Sequence, residues 1–253
     1  MEAILYICHG SRVEKARLEA VSFINECINQ HPASIQEYGF LELAEPSIEE
    51  AFANCVKRGA EKIIVLPVLL LAAMHVKEDI PKELKRIQQR FPFIEIKYGD
   101  PIGVHDYMID ILKERIAETG ETDIENSIVL LVGRGSSDPG VKRDLSSIAD
   151  RLKIKTGFPA VEVCFLTAAS PGLEEGLEIA GKSRYKNVLI IPYLLFTGIL
   201  MKTIRRSIST LSRDAGKQFI LCNYLGYHPR IGDILQQRAA ELSEGASHVS
   251  SHA

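Results

Sequence analysis

The chain is written twice at a single offset, and only one copy carries the residues that look chemical. ILYICHGS at 4–11 aligns with VLLVGRGS at 129–136, and GFLELAEPSIEEAF at 39–52 aligns with CFLTAASPGLEEGL at 164–177. KIIVLPVLLL at 62–71 aligns with NVLIIPYLLF at 187–196, again 125 residues on. A duplicated chain is constrained to form two equivalent scaffolds, each long enough to bury its own core. Within that register His9 aligns with Arg134, Glu42 with Thr167 and His75 with Leu200. The scaffold was kept and the His/Glu/His set was not, so the site is expected in the first half, with the second half in another role.

The hydrophobic runs give the fold class. Ile4–Cys8 reads as a buried parallel strand ending in His-Gly-Ser, followed by a helix over Glu14–Gln30. Ser34–Leu43 reads as a strand and Ser47–Arg58 as a helix, with Pro46 at its start and Gly59 past its end. Lys62–Leu71 reads as a long strand, although Pro67 within it lacks a ladder donor. A loop over 72–76, a helix over 77–90, a strand over 94–98 and a segment from Gly103 to Glu118 that begins in a loop and becomes a helix complete the first half. The second half repeats the order, with strands over 128–132, 161–166, 187–195 and 218–223. Its helices are expected over 140–154, 172–181, 201–214 and 229–243.

Strands alternating with helices predict an α/β fold of two tandem, similar domains. Each is a parallel sheet flanked by helices, with the ligand cleft expected between them. The N-terminal domain carrying the metal site is placed at 1–118, a polar linker at 119–126 and the degenerate repeat at 127–244. The small, polar residues 245–253 read as a flexible tail. Ligands of open parallel sheets bind beyond the carboxyl ends of the strands. His9 follows the first strand, Glu42 ends the second and His75 follows the third, so one sheet edge receives all three.

Charge and cysteine usage narrow the partners. The net charge of −3 gives no reason to expect nucleic acid or an anionic membrane. No apolar run approaches the ~18 residues that span a bilayer, and the first residues show no secretory pattern. Five cysteines without CxxC spacing fit reduced, buried thiols, so a cytoplasmic protein is expected.

Imidazole and carboxylate together bind divalent transition metals. Three protein ligands with open positions suit a site that exchanges ligands. The same trio also fits a hydrolytic or proton-transfer site. Taken singly, each residue fits an ordinary structural role: a loop histidine, a surface carboxylate, a capping histidine. Their shared edge and their joint loss from the second half favour a site. GRGSSDPG at 133–140 lacks the pattern of a phosphate loop. His105 and His228 read as capping or surface residues near the same edge, and His248 and His252 as a tail remnant.

ILYICHGSR, GFLELAEPSIEEAF and IIVLPVLLLAAMHVKEDIP resemble the class II tetrapyrrole chelatases, over essentially residues 3–240. That family includes sirohydrochlorin ferrochelatases and cobaltochelatases. The single-chain form with its histidines in the first half is most similar to the ferrochelatases of sirohaem synthesis. The resemblance implies insertion of Fe2+ into sirohydrochlorin, with release of two protons. The metal is then a substrate, and no permanent cofactor is expected. His9 and His75 would hold the ion and accept protons, with Glu42 as third ligand or base. Neutral imidazole is needed for either role, so activity is expected to fall below about pH 6.5.

The alternatives are Co2+ or Ni2+ insertion, a metal-dependent hydrolase, and a two-lobed anion- or tetrapyrrole-binding protein without chemistry. The chain shows no His-rich stretch or cysteine-rich tail of the kind common in the longer cobalt enzymes, which favours iron. The eight carboxylates of the substrate call for local cations. Ser11, Arg134, Lys202 and Arg205, with Arg206 beside them, are the expected carboxylate partners, although helix cations are usually a solvated face. Met74 and Leu200 are candidates to pack on the macrocycle. A covalent pair of halves removes the need for a dimer, so a monomer is expected.

Overall fold

The computed structural model describes residues 1–210 and 217–244. The expected tail at 245–253, with His248 and His252, lies outside them, as do the last four residues of the helix expected over 201–214.

Two four-stranded parallel sheets form, one from each half. The first contains β1 (Glu2–Cys8), β2 (Ile35–Phe40), β3 (Lys62–Pro67) and β4 (Glu95–Tyr98), in the order β2-β1-β3-β4. Helices α1 (Glu14–Gln30), α2 (Ile48–Lys57) and α3 (Ile80–Arg90) belong to it. Side chains alternate along β1. Leu5 and Ile7 enter a core with Ile63, Val65, Phe52 of α2 and Ile80 of α3. On Tyr6 the hydroxyl donates to buried Gln36 (3.1 Å), whose amide donates to Ile28 O of α1 (3.0 Å). A capping box starts α2: Glu50 N–H donates to Ser47 Oγ (3.2 Å), and Ser47 N–H donates to the Glu50 carboxylate (2.8 Å).

The second sheet contains β5 (Ser127–Gly133), β6 (Val161–Phe165), β7 (Asn187–Tyr193) and β8 (Gln218–Leu221), in the equivalent order β6-β5-β7-β8. Its helices include α5 (Pro139–Thr156), α6 (Leu173–Lys182) and α7 (Ile199–Thr210). Ile128, Leu130, Val132, Leu177, Ile190 and Ile204 form its core.

The third strand is shorter than its apolar run. It was expected to reach Leu71 and ends at Pro67. Val68 N–H donates to Ile7 O of β1 (2.8 Å), so the preceding position points its amide side toward β4. The missing N–H of Pro67 falls past the end of β4, whose last partner on β3 is Val65. The chain then continues in pairing rather than as a strand: Ile102 N–H donates to Leu69 O (3.0 Å) and Gly103 N–H to Leu70 O (2.8 Å).

The compact units are not the two halves of the repeat. One comprises Met1–Gly103 together with the residues from Ile231 on; the other is Val104–Arg230. Helix α4 (Asp106–Ala117), the last helix of the first repeat, packs on α5 and β7. Helix α8 (Pro229–Ser243), the last of the second repeat, packs from Ile231 on with the first sheet. There Gly232 gives α8 a close approach to Cys27, and the Lys62 ammonium donates to Ser243 O (3.2 Å). The two repeats therefore exchange their final helices. The polar run 119–126, expected as a linker, belongs wholly to the second unit. Ile124–Asn126 is a 3-10 turn there, and Asn187 of β7 donates to the Glu121 carboxylate (3.1 Å).

Candidate metal centre

Strand order places the site. β1 lies between β2 and β3, so the connections leaving β1 and β3 diverge, which opens a crevice at their carboxyl ends. His9 is the first residue after β1, Glu42 lies two beyond β2, and His75 follows β3 by a seven-residue loop. The structure brings all three together. One ligand atom from each lies within 4.8 Å of the others. Ligands around a tetrahedral ion with bonds of about 2.1 Å stand about 3.4 Å apart, so small side-chain rotations close the set on one ion. The two imidazoles meet edge to face, with ring centres 4.8 Å apart at 90°. His9 is mostly buried and Glu42 half exposed (14% and 47%), so the site opens to one side.

Backbone hydrogen bonds fix the first two ligands. Leu41 N–H donates to Cys8 O (2.9 Å) and Glu42 N–H to His9 O (3.1 Å), extending the β1–β2 ladder past both strands. Gly10 has φ +94°, and a Cβ there would stand 1.7 Å from Glu42 O. Only glycine fits both conditions. With its proton on Nδ1, His9 donates to Gly10 O (3.2 Å) and carries its ring lone pair on Nε2. His9 Nδ1 also lies 3.6 Å from a Glu42 carboxylate oxygen. Leu43, next to Glu42, has φ +61°, a conformation costing on the order of 1–2 kcal/mol for a non-glycine residue.

The second repeat keeps this backbone and replaces the side chains. Gly135 has φ +91° and a Cβ there would lie 1.9 Å from Thr167 O, while Thr167 N–H donates to Arg134 O (2.9 Å). Ala168 has φ +51° where Leu43 has +61°, and the peptides before Pro46 and Pro171 are both cis. Even the turn serines match: Ser11 Oγ accepts Val13 N–H (3.0 Å) and Ser136 Oγ accepts Asp138 N–H (3.1 Å). A single cradle holds His/Glu in one copy and Arg/Thr in the other.

His75 opens a π-helical turn, His75–Asp79, closed by Ile80 N–H donating to His75 O. The turn sets His75 Nδ1 2.8 Å from Asp79 Oδ2. Asp79 was not among the residues picked from sequence, although an acid four residues after a histidine at a helix start is a usable signal. Exposed Met74 and Leu43 are the chain neighbours of His75 and Glu42.

The remaining candidates fall outside this cluster. Arg134, Lys202, Arg205 and Arg206 are exposed on the second unit. His105 caps α4, its Nδ1 accepting Tyr107 N–H (3.1 Å), and His228 Nε2 pairs with Glu114 (2.8 Å). All five cysteines are buried, and burial pushes their thiols up to about 12. Among the described residues, no helix is long and apolar enough to cross a membrane.

The model of the CbiX family matches residues 3–119 and again 128–242. The chain belongs to the CbiX family. The two CbiX matches are the two copies seen in the sequence. The sirohydrochlorin ferrochelatase of Priestia megaterium is 52% identical over 242 residues, covering 96% of this chain and 91% of that protein. The structure of SirB from Bacillus subtilis with Fe3+ aligns at a TM-score of 0.89 and 42% identity, over 96% of this chain and 97% of that one. SirB from Bacillus subtilis subspecies spizizenii in complex with cobalt aligns at 0.84 and 40%, over 96% and 95%. The expected fold class, tandem parallel sheets flanked by helices, is therefore that of the CbiX chelatases.

Proposed function

We propose that the chain inserts Fe2+ into sirohydrochlorin, giving sirohaem and two protons. One observation carries this reading beside the ferrochelatase relatives. The first repeat gathers His9, Glu42 and His75 at one sheet edge, while the second keeps the backbone that cradles the first two and carries none of the three side chains. A binding module has no use for such one-sided loss. An exchangeable substrate metal needs an open set of nitrogen and oxygen donors, which this is.

His9 and His75 hold the incoming ion through neutral imidazole nitrogens. Glu42, half exposed, moves with it as third ligand; as the ring nitrogens replace the protein donors, Glu42 takes one pyrrole proton and a released histidine imidazole takes the other, and both pass on to solvent. Met74 and Leu43 offer apolar contact to the flat macrocycle. Its carboxylates are assigned to the Ser11 hydroxyl, Arg134, Lys202 and Arg205, on the affinity of guanidinium, ammonium and hydroxyl donors for carboxylate. Ser11 accepts a backbone N–H with its oxygen, and its hydroxyl hydrogen is assigned to a substrate arm. The sirohydrochlorin cobaltochelatase reading stands second, because the same donors suit Co2+ and a SirB relative is known with cobalt.

The test is anaerobic absorbance spectroscopy of sirohydrochlorin with Fe2+ and the purified chain. Conversion well above the spontaneous rate is expected; no acceleration with Fe2+, Co2+ or Ni2+ would overturn the reading.

A further inference from the structure

We infer that Asp79 is a positioning residue for metal capture: it accepts the Nδ1 proton of His75 and so aims the Nε2 lone pair into the site. The inference rests on the metal-inserting role proposed above. Three observations support it. The His75 Nδ1 to Asp79 Oδ2 distance is 2.8 Å, a full charge-assisted hydrogen bond. Metal-bound histidines commonly donate their second ring N–H to a carboxylate, which fixes the tautomer and the ring plane.

The second observation is the local backbone. Residues 75–79 form a π turn, with Val76 and Lys77 N–H both donating to Ala73 O (3.0 Å each) and Ile80 N–H reaching back to His75 O. Single π turns inside helices concentrate at functional sites because they re-aim side chains. Here the turn places the imidazole and carboxylate of His75 and Asp79 side by side.

The third is the internal control. The aligned positions in the second repeat are Leu200 and Ile204, in α7 (Ile199–Thr210), which is α-helical throughout. Ile204 is fully buried in the second core. The copy that lacks the ligand histidine also lacks its carboxylate and the π turn. A carboxylate kept only to start a helix would have no reason to disappear with the histidine.

The pair also explains how His75 is held, since among the described residues no β-ladder reaches it as one reaches Glu42. His75 is a third exposed and Asp79 about half exposed, and the bond adds a directional restraint on the ring to its edge-to-face contact with His9.

Co2+ titration of the full chain without tetrapyrrole, followed by visible absorption, tests the inference. Asp79→Ala is expected to weaken Co2+ binding by about 10- to 100-fold, with Asp79→Glu recovering most of the loss and Tm unchanged in both. Lys82→Ala, one turn away on the surface, should bind Co2+ as the parent does. Asp79→Ala binding Co2+ within twofold of the parent would overturn the inference. So would a loss that Asp79→Glu does not relieve while Tm holds. Because no tetrapyrrole is present, failure of the chelatase reading would appear separately, as Co2+ binding that depends on His75 in a chain that accelerates no insertion.

Discussion

Gly10 and Glu42 are locked together: at φ +94°, Gly10 passes so close that a Cβ would stand 1.7 Å from the Glu42 carbonyl oxygen. The contact sets His9 and Glu42 at a common edge before either side chain is considered. Gly10→Ala must push the two loops apart, at a cost on the order of 2–3 kcal/mol in strain and lost packing. A displacement near 1 Å at a reacting centre costs about 100-fold in rate. Insertion assays and thermal melts on Gly10→Ala should show both losses. Gly135→Ala meets the same clash, at 1.9 Å from Thr167 O, and should lower Tm comparably while sparing more activity.

Arg134 stands in the second cradle where His9 stands in the first. If it holds a substrate carboxylate, Arg134→Ala removes one charge-assisted contact, worth about 1.5–3 kcal/mol. KM for sirohydrochlorin should rise roughly tenfold or more with little change in kcat. A fall in kcat at unchanged KM would instead place Arg134 in the metal chemistry.

The exchanged helix α4 should give way in acid. Asp110 of α4 is held below the ordinary carboxylate range chiefly by its hydrogen bond to Lys155 of α5, with Arg230 (2.8 Å) adding to it. Glu118, just past α4, is lowered first by Asn223 and then by Arg115. Groups with lowered folded-state pKa values contribute stability that is full above the ordinary carboxylate pKa and vanishes as pH falls through the lowered one. Melts of the parent should therefore lose Tm progressively below about pH 4, and Asp110→Asn should be less stable at neutral pH with a shallower acid limb.

Much of this was legible in the sequence because strands and helices announce themselves by apolar period, and because the second copy acts as a built-in comparison. His9, Glu42 and His75 were found by position relative to strand ends, and they meet in the structure. What stayed hidden depends on tertiary context. Pro67 ends β3 because of where its missing N–H points, which requires knowing β4's register. Asp79 required the π turn, which re-registers the helix start and which apolar periodicity does not reveal. The exchange of α4 and α8 left no mark in local sequence, since each helix is equally amphipathic whichever sheet it covers. The Ser47–Glu50 capping box was visible as S-x-x-E and was overlooked beside the proline.

The proposed place of metal insertion is the His9/Glu42/His75 set of the first repeat. The most direct measurement is the anaerobic Fe2+ insertion rate of His9→Ala and His75→Ala beside the parent, with circular dichroism confirming the fold. Each variant should lose about 100-fold or more of the accelerated rate and approach the spontaneous reaction. Variants that fold and keep the full parental rate would contradict the account.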